Sequence, residues 1–320
     1  MKRIELLNLP QVFEEMKHAR SVSFAYGLMK NRKLIDAEKE NLAKTLDMTP
    51  NYQKFLKEVQ ETVNDFCEKE NNNVITFETV KLKEGKILED FKTAIYSLRE
   101  IYATDIESRR KDIREYQKFI RDDVDFDFYR IAESSIPTEL KLQNLIAIAE
   151  LINFKDRDQK AIEFTNYQLL TYIELYRNIF DLGSKSSGDN EARNKMLINF
   201  VELRKKHSEI YKNSVVQDWL VYEEKRKDLA EKFAETDIYG DILIQRGDTG
   251  AEDQFVIKDI ESYNKALEVL SKEFEMTLNQ FYSFLENKTK VNLSLLKQSE
   301  LPEDMTLEDL QTLDIFIENE

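Results

Sequence analysis

Leu88-Glu89-Asp90-Phe91-Lys92-Thr93-Ala94-Ile95-Tyr96-Ser97-Leu98-Arg99-Glu100-Ile101-Tyr102 sets Leu88, Phe91, Ala94, Ile95, Leu98, Ile101 and Tyr102 at the three- and four-residue steps of one helix face. The pattern extends from about Glu84 to Arg121 and predicts one long amphipathic helix. Downstream, Tyr263, Ala266, Leu267, Leu270 and Phe274 repeat Phe91, Ala94, Ile95, Leu98 and Tyr102 at a constant offset of 172. A helix that recurs with its apolar face intact points to a repeated helical unit.

The flanking segments repeat in the same order. Tyr222 to Phe233 follow Phe55 to Phe66, and Ile242-Leu243-Ile244 falls on Ile75-Thr76-Phe77, both at an offset of 167. Arg114–Ile152 and Asn279–Ile317 align without a gap at 165, with Pro137 matched to Pro302 and Leu142 to Leu307. Ile162-Glu163-Phe164-Thr165-Asn166 aligns with Ile4-Glu5-Leu6-Leu7-Asn8 at 158. The expected fold is mainly α with small β-hairpins (α+β), built as two tandem repeated helical units. Unit one spans 1–154, the charged run Lys155-Asp156-Arg157-Asp158-Gln159-Lys160 is a linker at 155–160, and unit two spans 161–320.

Local signals place the elements. Phe24, Ala25, Met29, Leu34 and Ile35 belong to an early helix. Thr49-Pro50 opens the helix carrying Phe55, Val59, Val63 and Phe66, because proline suits a first helical turn. Val74 to Val80 is β-branched and reads as a strand or hairpin after the turn Asn71-Asn72-Asn73. Asp125-Phe126-Asp127-Phe128 alternates with period two and reads as a short strand. Leu140 to Ile152 reads as a closing helix. Flexible loops are expected at Leu182–Asp189 and Gln245–Asp253.

Composition narrows the function. The 320 residues hold only seven Gly and four Pro, too few for a Gly-looped nucleotide fold or a turn-rich sandwich. Net charge is −15, which argues against direct binding of nucleic acid or of an anionic membrane. No apolar run approaches a membrane span. One cysteine, Cys67, excludes an internal disulfide and a Cys-rich metal site.

Catalytic chemistry finds little to work with. A di-metal carboxylate site needs Glu-x-x-His twice. Glu15-Met16-Lys17-His18 supplies one, but His207 has Arg204 at the matching position. Gly183-Ser184 and Ser187-Gly188 form no nucleophile elbow, and Gly247 to Gly250 lacks the Gly-Lys-Ser/Thr of a phosphate loop. The expectation is a non-enzymatic protein with no cofactor and no metal. A carboxylate-based hydrolase is the least favoured alternative.

Two surfaces are candidates for binding a protein. Asp122, Asp123, Asp125 and Asp127 form an acidic run, and strand neighbours two apart sit about 6.6 Å from each other, close to a phosphate spacing. Trp219 and Tyr222 are candidate aromatic anchors. The first fits an acidic inhibitor of a host nucleic-acid-handling or defence factor, the second a salt-tolerant contact in a virion or assembly component.

The start Ile4-Glu5-Leu6-Leu7-Asn8, a helical pair, and then Leu229-Ala230-Glu231-Lys232-Phe233-Ala234-Glu235-Thr236-Asp237 with Gly240 before a short hairpin resembles a group of uncharacterised tailed-phage proteins, about once in each half of the chain. The first half departs from it, with Asn71-Asn72-Asn73 where the turn Asp and Gly would fall. The resemblance implies a phage-encoded, non-enzymatic protein and carries over no functional residues. Its expected partner is a host factor or a virion subunit, with self-association into a homo-oligomer also open. The expected location is the host cytoplasm or the virion.

Overall fold

The computed structural model describes residues 2–45, 47–68, 76–77, 79–122, 126–140, 142–171, 190–245, 254–301, 310–311 and 314–318. The architecture is mainly helical with a few two-stranded sheets. The first half holds α1 (Arg3–Glu15), α2 (Val22–Thr45), α3 (Pro50–Phe66), α4 (Leu88–Ile101), α5 (Ala103–Phe119), β1 (Ile131–Ala132), α6 (Leu142–Ala147) and β2 (Ile152–Asn153). The second half holds β3 (Lys160–Thr165), α7 (Asn190–Tyr211), α8 (Ser214–Phe233), β4 (Ile244–Gln245), β5 (Gln254–Phe255), α9 (Ile260–Glu273), α10 (Glu275–Glu286) and β6 (Lys288–Leu293). Among the described residues, no helix is long and apolar enough to cross a membrane.

Sequence chemistry accounts for the helix ends. The Thr49 hydroxyl accepts from the Tyr52 N–H at 3.2 Å and Pro50 occupies the first turn of α3, whose buried face is Tyr52, Phe55, Val59 and Val63. The single helix expected over Glu84–Arg121 is two, α4 and α5. They break at Tyr102 (φ −103°, ψ 17°), whose ring turns in against Phe55 with centroids 5.6 Å apart. The second half breaks in the same way at Phe274 (φ −103°, ψ 15°), whose ring meets Tyr222 at 5.6 Å. An unbroken apolar stripe cannot reveal such a break, because the residue that causes it also belongs to the stripe.

Further devices recur between the halves at near-constant offsets. Ile131 pairs with Ile152 in parallel, and Leu296 with Ile317, each 165 residues on. The 3-10 turns Glu133–Ser135 and Ala149–Leu151 return as Gln298–Glu300 and Asp314–Phe316. Lys83 N–H donates to the Phe66 carbonyl as Lys258 N–H does to Phe233, and Glu68 N–H to Lys81 as Glu235 N–H to Val256. Buried Asn31 clasps both backbone groups of Tyr129 (3.0 and 2.8 Å), and buried Asn199 clasps both of Ser294 (2.8 and 2.7 Å). The offset of 158 is not reproduced: Ile4–Asn8 lie in α1, whereas Ile162–Thr165 lie in β3. The structural match is 163, where a Glu5 carboxylate caps Lys2 N–H at 2.9 Å as Gln168 caps Thr165 N–H at 2.8 Å.

The compact units are not the two sequence halves. Unit 1 comprises Met1–Leu42, Ile120–Trp219 and Met276–Glu320, and unit 2 comprises Ala43–Phe119 and Leu220–Glu275. The apolar core of unit 1 draws Leu6, Phe24, Ile35, Ile131 and Leu145 from the first half, and Phe164, Leu197, Phe200, Val291 and Phe316 from the second. In unit 2, Phe55, Val59, Phe91 and Ile95 surround Ile238, which comes from the second half. Residues 155–160 are correspondingly not a loose linker. The Arg157 side chain is only 9% exposed and is held by Glu133 and Glu191 at 2.7 Å each.

Three local expectations change. Phe126–Phe128 is not a strand but a tight turn, closed by Phe128 N–H donating to the Phe126 carbonyl at 2.9 Å, and β1 starts only at Ile131. The closing helix is shorter than Leu140–Ile152, because α6 gives way to the 3-10 turn Ala149–Leu151 and then β2. On α2, Phe24 and Ile35 face the core, but Ala25, Met29 and Leu34 face outward. Asn71–Asn73, Val74–Ile75, Pro302, Leu182–Asp189 and most of Gln245–Asp253 lie outside the described residues.

Candidate interaction surface

Among the sequence-selected carboxylates, Asp122 and Asp127 are exposed, while Asp123 and Asp125 lie outside the described residues. The Asp122 carbonyl accepts from Arg3 N–H at 2.9 Å, which ties this segment to the start of α1. Asp127 is the middle residue of the tight turn. Phe126 and Phe128 point to the core beside it, their rings 5.7 Å apart. The alternation of acid and aromatic in the sequence therefore reflects a turn that buries two rings.

The aromatic anchors are packing residues. Tyr222 is 7% exposed, its ring tilted against that of Phe274, with its hydroxyl 3.2 Å from the Ser271 hydroxyl. It stands where Phe55 stands in the first half, which the helical pattern already implied. Trp219 is half-buried and lies flat on Phe281, ring centroids 4.4 Å apart and planes 5° from parallel. Neither ring is presented as a free anchor.

Reactive groups are dispersed. Cys67 is buried at the end of α3, and burial pushes its thiol pKa up, away from the reactive thiolate. His18 is exposed, and His207 stacks on Tyr211 at 5.9 Å. Among the described residues, no three His, Cys, Asp or Glu side chains gather as a metal site requires.

The charged clusters fasten one segment to another. Arg157 makes forked contacts to both Glu133 and Glu191, and its guanidinium holds both carboxyls below their ordinary pKa. Arg204 pairs with Glu5 and with Glu150 (2.8 Å). Burial draws its pKa down to about 10, which leaves it cationic at neutral pH. In unit 2, Arg99 donates to the Ile238 carbonyl at 3.1 Å and to the Asp237 carbonyl, and Arg110 donates to the Gly240 carbonyl. Gly240 takes φ +86°, and the Asp237 carboxylate accepts from Tyr239 and Asp241 N–H at 2.9 Å each. Burial is the main reason the Asp237 pKa is raised. These groups are already engaged within the chain.

Among the described residues, the outer face of α2 is left uncovered. Phe24, Leu28, Asn31 and Ile35 face the core, while Val22 (90% exposed), Tyr26 (44%) and Met29 (48%) line a second apolar stripe one helical turn apart. Tyr129 (45% exposed) extends it, edge-on to Tyr26 at 5.7 Å, and the Lys30 ammonium sits 5.3 Å from the Tyr26 ring. The sequence carried a signal for this face: apolar residues at positions 22, 26 and 29 fall outside the stripe set by 24, 28 and 35. No protein-family model, curated protein or solved structure matches the chain.

Proposed function

We propose that this protein works by binding other proteins and not by catalysis. The observation that supports the reading is the uncovered apolar stripe of α2, Val22, Tyr26 and Met29 with Tyr129 beside it, on a helix whose other face is fully packed. Exposed aromatic and methionine side chains that adjoin one another are the composition of interface centres. Of the two roles drawn from the sequence, a virion or assembly component uses such a face directly. An inhibitor of a host nucleic-acid-handling or defence factor draws instead on the net charge of −15 and on exposed Asp122 and Asp127.

The test compares proteins captured by the wild-type chain and by Tyr26→Glu/Met29→Glu, at low and high salt. A partner lost from the double variant supports the assembly role, whether or not salt weakens its capture. A partner indifferent to the double variant but released by salt supports the acidic inhibitor. Capture of no specific partner by the wild type would overturn the binding reading.

A further inference from the structure

The recurring devices allow each residue of α2 to be compared with its counterpart on α7, 168 positions on, since Asn31 and Asn199 make the same clasp. The face of α7 that corresponds to the open face of α2 is occupied. Arg193 donates to the Pro137 and Thr138 carbonyls at 3.4 and 3.2 Å, and Asn194 donates to Glu133 at 2.8 Å. Leu197 and Val201 share an apolar cluster with Ile146 and Ala149. Thus the closing segment of the first half, from Glu133 to Leu151, covers α7 of the second. The counterparts of Arg193, Asn194, Leu197, Val201 and Arg204 are Ala25, Tyr26, Met29, Lys33 and Asp36, and all five are exposed.

The contact is also unmatched at its other end. The two 3-10 turns of the first half's closing segment recur 165 positions on in the second, so Ile146 and Ala149 correspond to Gln311 and Asp314. Ile146 and Ala149 are buried against the second half, whereas Gln311 and Asp314 are exposed. One internal contact therefore leaves one open half-contact on α2 and one open complementary half-contact near Asp314. Charge is complementary on balance: Lys30 and Lys33 stand on the α2 side together with Asp36, which pairs with Arg32 at 3.7 Å, and Asp314 and Glu318 stand on the closing side.

We propose that the outer face of α2 docks the closing segment around Gln311 and Asp314 of a second copy of this chain, repeating between molecules the contact made within one. This rests on the reading of α2 as a protein-binding face and names its occupant. The contact is heterologous, using two different patches, so each molecule keeps one open patch of each kind and association continues beyond a dimer. Because charged side chains replace the apolar pairs of the internal contact, it is weaker than that contact and screened by salt.

Sedimentation of the purified full-length chain across a concentration series tests this. At low salt the wild-type average mass should rise with concentration past that of a dimer, and high salt should reverse the rise. Lys33→Glu and Asp314→Lys both alter exposed side chains, so folding, checked by circular dichroism, should be unchanged. Each alone should weaken association at least about tenfold. Mixed in equal amounts, the two should recover association past a dimer, because every contact between unlike variants again brings opposite charges together while contacts between like variants stay repulsive. A chain that stays monomeric at all concentrations overturns the proposal, as does a dimer that both substitutions leave intact. If the chain stays monomeric while a captured partner still requires Tyr26 and Met29, only the occupant is wrong, and the binding face stands.

Discussion

Two buried asparagines show how single polar residues fix this fold. Asn199 is fully buried in α7, and its side-chain amide satisfies both the N–H and the C=O of Ser294 just after β6. Asn199→Leu keeps the branched heavy-atom shape but leaves two buried backbone groups without partners, at about 1–3 kcal/mol for each. A matching fall in the urea midpoint with an unchanged slope is the expected result. Gly27 acts through absence. A Cβ there would lie 2.6 Å from Ile131 Cγ1, so α2 can approach β1 only because this residue is glycine. Gly27→Ala should lower stability by roughly 1–3 kcal/mol through overpacking, despite the better helix propensity of alanine. Neither role was legible in the sequence. A polar residue or a glycine inside an amphipathic helix looks like an interruption until the segment it meets, some hundred residues away, is known.

At the scale of elements, the segment at 155–160 behaves as a fastening. Arg157 lowers the pKa of Glu133 and Glu191, so both carboxylates bind protons more weakly folded than unfolded. Their contribution to stability is complete above the ordinary carboxylate range and is lost as pH falls through the lowered folded values. Asp237 in unit 2 has the opposite sign. Its raised pKa means the folded state holds the proton more tightly, so its contribution is present in acid and lost as pH rises through the raised value. Acid should therefore loosen unit 1 before unit 2. Hydrogen exchange measured on descending pH should show protection lost first around Glu133, Lys155–Lys160 and the start of α7. Glu133→Gln should flatten that pH response and destabilise unit 1 by on the order of 3 kcal/mol, since it leaves a nearly buried guanidinium short of a charge partner. The charge run was visible in the sequence, but a run of alternating charges looks the same whether solvated or paired with distant carboxylates.

For the whole molecule, helical periodicity located α3, α4, α8 and α9 and their order, and spacing exposed the recurrence of elements between the halves. Periodicity states which face of a helix is buried but not which half of the chain buries it. Periodicity is therefore compatible with a division at 155–160, although each compact unit takes its segments from both halves of the chain. The interleaving has a testable consequence for folding. A fragment of residues 1–154 keeps Leu145, Ile148 and Leu151 but loses Leu197, Phe200 and Leu203 from the same core, and the complementary fragment 161–320 loses the reverse set. Among the described residues, fragment 161–320 keeps only Ile238 of the buried unit 2 cluster, with Tyr239 packed beside it, and fragment 1–154 gives up both. Each fragment would expose one side of a shared core to water, at roughly 25 cal/mol for each Å² of apolar surface, against a net domain stability of only about 5–15 kcal/mol. Neither fragment alone should show a cooperative thermal transition, and both should bind a hydrophobic dye. Mixed in equal amounts, with residues 155–159 kept on the first fragment and Lys160 on the second so that Arg157 can bind Glu133 and Glu191, they should recover the far-ultraviolet dichroism of the intact chain and a single sharp transition. Two fragments that each melt cooperatively when separate would show instead that the halves fold as independent domains.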